Sequence, residues 1–468
     1  MDHLLVDKKK VVEKMLALDV KVATGCTEPV TIALAVLYAC RELTGEQLQK
    51  LTIRPSINLF KNAMEVGIPG TDYNHGVPLA AALGAVLARE KGITPGLNIL
   101  SKISQCHFTS AKSLVSAGTI AIEIDYATHG LSVEAMALDH EGNTIVAVIK
   151  DGHDTLIKLE KNGQSLLTAK APSVEGPQST TGAKEQTQLT ALRKELAALQ
   201  YADIVSILPH LSEESRRHLL EGVTINSTMV ENAISNSRGI LKIGQAYNKL
   251  FKVGDKKSEA PFINQAIATL SAAVDARMSG FDMPVMTSAG SGNQGLTITL
   301  PLKIFAEVYQ LPENILCEAL ALGHLTTSIA KAHTGTLSAM CGCVVCAGLG
   351  LASALTYLMN YQRNAQQAAF KISVEEVVKE LECAIDIMVA SVTGIICDGA
   401  KVGCSVKAVC SVSSAYHAAM LASSNIKIPE TNGVLGSSIE STLSNLGKIA
   451  SPGMIATDEQ ILSIMINR

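Results

Sequence analysis

APSVEGPQSTTGAKEQTQ, residues 171–188, separates two stretches of chain that are patterned differently. It is poor in large apolar side chains and rich in Gly, Pro, Ser and Thr, the composition of a linker or mobile loop. Upstream, between Leu51 and about Ile157, short alternating segments predict strands: LTIRPSINLF, GLSVEAMALDH and NTIVAVIKDG, with a hairpin signal at Asp139–Asn143. Before these, residues 7–43 place apolar side chains at three- and four-residue spacing and predict helix, broken at the turn Gly25-Cys26-Thr27-Glu28-Pro29. From Leu189 onward helical periodicity dominates, interrupted only by Gly-rich loops near Gly290, Cys341 and Cys397. The expected class is α+β: an N-terminal mixed α/β domain over 1–170, a linker at 171–188, and a mostly helical, Ala/Gly-rich domain over 189–468. No repeat of fixed period is present.

The chain has 468 residues, 47% of them hydrophobic, enough for two or three domains with a substantial core. Its 39 basic and 43 acidic residues are mixed along the sequence and sum to −4, so no footprint for nucleic acid exists. The start, MDHLLVDKKKVVEKM, lacks the apolar stretch of a secretory signal, so a cytoplasmic protein is expected. Residues Cys341–Met359 are apolar over nearly a membrane span, but consist mostly of Gly, Ala, Cys and Val, which reads as a buried helix. Expected partners are therefore a small molecule and a second copy in a homodimer, with no nucleic acid and no membrane.

Eleven cysteines in a cytoplasmic chain are reduced thiols and ask for another explanation than disulfides. Five of them, Cys40, Cys106, Cys317, Cys383 and Cys410, lie in apolar surroundings and read as small buried side chains. The others concentrate in three places: Cys26 in GCTEP; Cys341, Cys343 and Cys346 in CGCVVC; Cys397 and Cys404 in CDGAKVGC. Gly342, Gly399 and Gly403 supply turns through which several sulfurs can converge, as iron–sulfur ligation requires. Cys343 and Cys346 stand at C-x₂-C spacing, but no second C-x₂-C completes the pair of a structural zinc site, and spacing alone leaves iron–sulfur, zinc and no metal open.

TGCTEPV, KNAMEVGIPGT, SAGSGNQG, HTGTLSAMCGC and GIICDGAKVGC together resemble the L-cysteine desulfidase family over nearly the whole chain. The second half is also similar to the catalytic, alpha part of iron–sulfur L-serine dehydratases, with His333–Ala339 and onward to Cys343 in the register of the motif around their first ligand. The resemblance implies a [4Fe-4S] cluster held by Cys343, chosen over Cys341 by that register, with Cys397 of Cys397-Asp398-Gly399 and Cys404 as the nearby third thiol. It implies β-elimination from a small amino acid, L-cysteine to pyruvate, sulfide and ammonia, or L-serine by the same route.

Cys26, beside a helix start where dipole and free N–H groups favour a thiolate, is expected to be the base that takes the Cα proton, a fourth resting ligand being the alternative. Substrate binding falls to Ser291, Asn293 and Gln294 of GSGNQG, to Lys61 and Asn62, and to His333 within its motif. Two rival readings stand. SAGSGNQG resembles the phosphate loop of pyridoxal-phosphate lyases, but no convincing Schiff-base lysine motif accompanies it. An iron–sulfur redox sensor would use the same thiols, yet no output domain is evident.

Overall fold

The computed structural model describes residues 3–43, 48–167, 179–251, 261–365 and 372–467. Its N-terminal half is built on a mixed six-stranded sheet. Leu48–Pro55 runs parallel to the edge strand Ile120–Ile122 and antiparallel to Ser132–Asp139, from which a meander continues through Thr144–Lys150, Leu156–Lys161 and Gln164–Ser165. The alternation read from sequence is the pleat: Val133, Ala135, Ala137, Ile145, Ala147 and Ile149 are buried on one face, beneath helices Thr27–Arg41 and Val77–Leu87. The hairpin expected at Asp139–Asn143 is present, with Asp139 Oδ1 accepting from the Glu141 and Asn143 amides.

Two local readings need correction. LTIRPSINLF is strand only to Pro55, because Ser56 then starts the helix Ile57–Ala63. The helical segment 7–43 is split into His3–Asp19 and Thr27–Arg41 by a short strand, Val22–Thr24, paired antiparallel with Pro284–Met286. That pairing joins residues 260 to 264 positions apart in sequence, from Thr24↔Pro284 to Val22↔Met286, and nothing in local periodicity announces it.

The rest of the chain forms a helical body. Cys346–Asn364 runs through its middle, buried along nearly its whole length, against Glu313–Thr334, Val374–Val392 and Cys404–Ser423. Small residues set the spacing: a Cβ on Gly350 would meet Thr327 Oγ1 at 2.2 Å and the Gly323 carbonyl at 2.3 Å. Among the described residues no helix is long and apolar enough to cross a membrane.

The apolar residues divide into two main cores, one under the sheet and one in the helical body. The first helix belongs with the second of these: Val12, Met15 and Leu16 pack into the helical core although they lie at the start of the chain. Residues 171–178 of the expected linker lie outside the described residues, and the remainder is already helix, Ser179–Ala197. Helix Thr27–Arg41 starts at Cys26 in the helical core and continues from Val30 into the sheet core, so its N-terminus marks the seam.

Candidate functional site

At that seam the two cysteine loops are held side by side by a short antiparallel pairing of Met340 with Ile396. The Cys341 amide donates to the Ile395 carbonyl at 2.9 Å and the Cys397 amide to that of Ala339 at 2.6 Å. Cys343 follows in the turn before helix Cys346–Asn364, and Cys404 is the first residue of Cys404–Ser423. Ser411 of the latter helix donates to the Cys343 carbonyl at 3.2 Å, which fixes one turn against the other. Gly399 adopts φ +92°, and a Cβ there would lie 2.4 Å from the Lys61 carbonyl oxygen, so any other residue strains the turn after Cys397.

Cys341, Cys343, Cys397 and Cys404 all border one cavity, which Cys26, Asn62, Ser291, Asn293 and Gln294 complete from the other side. Three helices begin at its wall: Thr27–Arg41, capped by Cys26; Gly292–Val308, capped by Ser291; and Cys404–Ser423, whose first amides bond to the carbonyls of Lys401, Val402 and Gly403. Their dipoles favour negative charge. Arg277, Lys331 and Lys407 line the same cavity against a single carboxylate, Glu28. The lining therefore suits a substrate carboxylate.

Arg277 ties the two sides together. It donates to the Gly25 carbonyl at 2.7 Å and to Asn293 Oδ1 at 3.0 Å, joining the GCTEP turn to the GSGNQG loop. Gly292 makes room for it, since a Cβ there would stand 2.6 Å from Arg277 Nε. Gln294 is 3% exposed, and its Oε1 has no hydrogen-bond partner in the protein, which leaves a buried acceptor at the cavity wall. Lys407 donates to Asp398 Oδ1 at 2.6 Å; burial opposes ionisation of Asp398, but Lys401 and Lys407 together hold it at about 2.

The surroundings shift the thiols in different directions. The Cys343 thiol hydrogen-bonds to Cys341, which with Lys407 outweighs burial and brings Cys341 down to about 6, while Cys343 itself is raised. Burial pushes Cys404 up to about 12 and raises Cys397. Burial, then Glu28, raise Cys26 well above the usual thiol range, only partly offset by Arg277. Both oppose the thiolate expected there from the helix dipole, and Cys26 Sγ donates to Glu28 Oε2 at 3.0 Å. Among the described residues no three His, Cys, Asp or Glu side chains converge as ligands of one metal ion.

Two expected binding residues stand outside the cavity. Lys61 is 0% exposed, and its ammonium pairs with Asp458 of the C-terminal helix Ile455–Ile466, beside Asn58, which donates to the same carboxylate at 2.6 Å. It is a strut under the Cys397 turn. His333 fails for a helical reason: Lys331 and Thr334, three apart, face inward, whereas His333 turns toward Gly447, whose Cβ would touch its side chain at 2.9 Å. A broader hollow of about 800 Å³ lies beyond the segment Thr336–Ser338, which lines both spaces, and holds none of the cysteines.

Sequence reading missed Glu28, His153, Arg277, Lys331 and Lys407. Two of these left a local signal: Lys407, three residues after Cys404 on the same helix, and Glu28, two residues after Cys26 in the GCTEP turn.

Residues 94–463 match the serine dehydratase alpha chain family, and the chain belongs to that family. The match starts upstream of the strand Ile120–Ile122 and so takes in most of the sheet as well as the helical body. A UPF0597 protein of Clostridium tetani is 33% identical over 447 residues, 95% of this chain and 96% of the relative. Those of Desulfatibacillum aliphaticivorans and Alkaliphilus oremlandii are 33% and 32% identical, with 98% of both chains covered in each case. Family membership supports a lyase of the amino-acid dehydratase kind.

Proposed function

We propose that this protein is an iron–sulfur lyase that removes the β-substituent of a small L-amino acid, with L-cysteine as the first substrate to test and L-serine as the second. The observation that supports the reading is that four thiols from two paired loops border one cavity, whose lining also includes helix N-termini, an arginine and an unsatisfied amide oxygen. The donor set fits a cluster: thiols spaced around a shared hollow, flanked by Lys407 and helix starts, suit several irons better than a single zinc ion.

Cys343, Cys397 and Cys404 would hold it, with Cys341 as the neighbouring thiol. When bound, such a cluster supplies a Lewis-acidic iron that draws electron density from the leaving group. The chain's own residues do the rest. The first N–H groups of Gly292–Val308, together with Asn293 held by Arg277, receive the substrate carboxylate, and Gln294 Oε1 accepts from the ammonium group. Cys26 takes the Cα proton, and the aminoacrylate released hydrolyses to pyruvate and ammonia.

The test is to assay pyruvate, ammonia and sulfide from L-cysteine and L-serine in parallel with protein purified without oxygen. Turnover of either supports the lyase and the faster one identifies the substrate. An iron-containing protein inert toward both would count against it and in favour of a sensor, and full activity without iron would favour pyridoxal phosphate.

A further inference from the structure

The proposed elimination gives Cys26 a proton to take, and the resting sulfur already carries one. Burial and the adjacent carboxylate keep it there. Before the sulfur can act, its own proton has to move to an acceptor within hydrogen-bond reach. Glu28 Oε2 stands 3.0 Å from Cys26 Sγ.

We infer that Glu28 holds the proton of Cys26 while Cys26 takes the Cα proton, so that the two residues act as a cysteine–carboxylate pair. This rests on the elimination reading and adds a residue to it. The pair is built by one turn: Cys26 caps helix Thr27–Arg41, and Glu28 sits two residues on, in its first turn. Thr27 Oγ1 also donates to Glu28 Oε2, at 3.2 Å, so one carboxylate oxygen gathers both donors. Thr31 donates to the His153 carbonyl at 2.9 Å, and the His153 ring lies 3.4 Å from Thr27 Oγ1, which backs the turn from the sheet side. Burial lowers the pKa of His153. Both Cys26 and Glu28 border the cavity.

The step balances. The Cys26 S–H proton passes to Glu28 Oε2, and the thiolate takes the Cα proton. The Cα–H electron pair becomes the Cα–Cβ double bond, and the β-substituent departs with the pair of the bond it breaks, as hydrosulfide or hydroxide. Glu28 then returns its proton to the departing anion, giving hydrogen sulfide or water, and the pair is back in its starting state.

A merely structural role is the alternative, because a carboxylate in the first turn also stabilises a helix. Glu28→Gln and Glu28→Asp separate the two when made in the anaerobic, iron-loaded protein and assayed with L-cysteine and L-serine bearing hydrogen or deuterium at Cα. Expected for Glu28→Gln are a kcat lower by about 10²–10⁴, KM within about threefold, unchanged iron content and a larger deuterium isotope effect. Glu28→Asp, which keeps a carboxylate, is expected to recover at least tenfold of that loss with an isotope effect above wild type. A Glu28→Gln variant with wild-type kcat, or one whose loss follows iron content with an unchanged isotope effect, overturns the inference. Should Glu28→Gln not fold, Glu28→Asp carries the test, and wild-type kcat and isotope effect there overturn it. Wild-type protein inert toward both amino acids would instead refute the elimination reading beneath it.

Discussion

Gly399 offers the sharpest structural prediction, because two independent constraints meet on it. Alanine there must hold φ +92°, in the left-handed region, at about 1–2 kcal/mol. Its Cβ would also sit 2.4 Å from the Lys61 carbonyl oxygen and 3.2 Å from the carbonyl carbon, backbone atoms that cannot rotate away. Forcing them apart adds about 1–3 kcal/mol, as overpacking does elsewhere. The total is roughly 2–5 kcal/mol; at about 2.1 cal/mol/K of unfolding entropy per residue, a chain this long loses about 1 °C per kcal/mol. Gly399→Ala should therefore melt about 2–5 °C below wild type. Because the strain lies in the turn directly after Cys397, iron content per chain should fall more steeply than stability does. Gly403, in the same cysteine loop, is the control: its φ is −59°, and an added Cβ first meets the flexible Lys401 side chain at 3.4 Å. Scanning fluorimetry and iron analysis of both variants decide it. If Gly399→Ala and Gly403→Ala agree in melting temperature and iron content, the steric reasoning is wrong.

Lys61→Ala should destabilise by about 3–5 kcal/mol by leaving Asp458 buried without its cation, whereas Lys61→Met with Asp458→Leu should recover most of that; denaturant unfolding measures it, and KM should not change in either variant. Arg277→Lys loses the two-armed bridge between Gly25 and Asn293, and kcat/KM should fall about 10- to 100-fold, the worth of hydrogen bonds to a charged group. Asp386, which accepts from Thr442 at 2.9 Å, is raised to about 6 by burial despite that bond. An acid whose pKa is higher folded than unfolded contributes stability below about pH 4 and loses it as pH rises through 6. Asp386→Asn should thus be more stable than wild type above pH 7 by about 1–2 kcal/mol after solvent screening, with the gain vanishing below pH 4 in thermal melts across that range.

The thiols and their glycines were legible because their chemistry is local: a CDG turn and a helix start after Gly403 are fixed by a few adjacent residues. The sheet was legible for the same reason, since period-two burial in Ser132–Asp139 and Thr144–Lys150 needs no knowledge of the neighbour strand. What escaped depends on contacts distant in sequence. Arg277 looks like any helix-end arginine until strand Val22–Thr24 pairs with Pro284–Met286 and brings Gly25 within its reach. Lys61 was misplaced because its partner Asp458 lies 397 residues away. His333 was misplaced by motif proximity, where helical phase selects Lys331 instead. The thiolate expected at Cys26 followed from the dipole alone, and the burial and Glu28 that reverse it belong to the folded protein.

The cavity at the seam is proposed to hold an iron–sulfur cluster on Cys343, Cys397 and Cys404. The most direct measurement is iron and acid-labile sulfide per chain, with the visible spectrum, in protein purified without oxygen, for wild type and for Cys397→Ala. About four irons and four sulfides with a brown chromophore, lost in Cys397→Ala while the variant stays folded, is the predicted result. A colourless, iron-free wild type that still eliminates sulfide or water from its amino acid would contradict it.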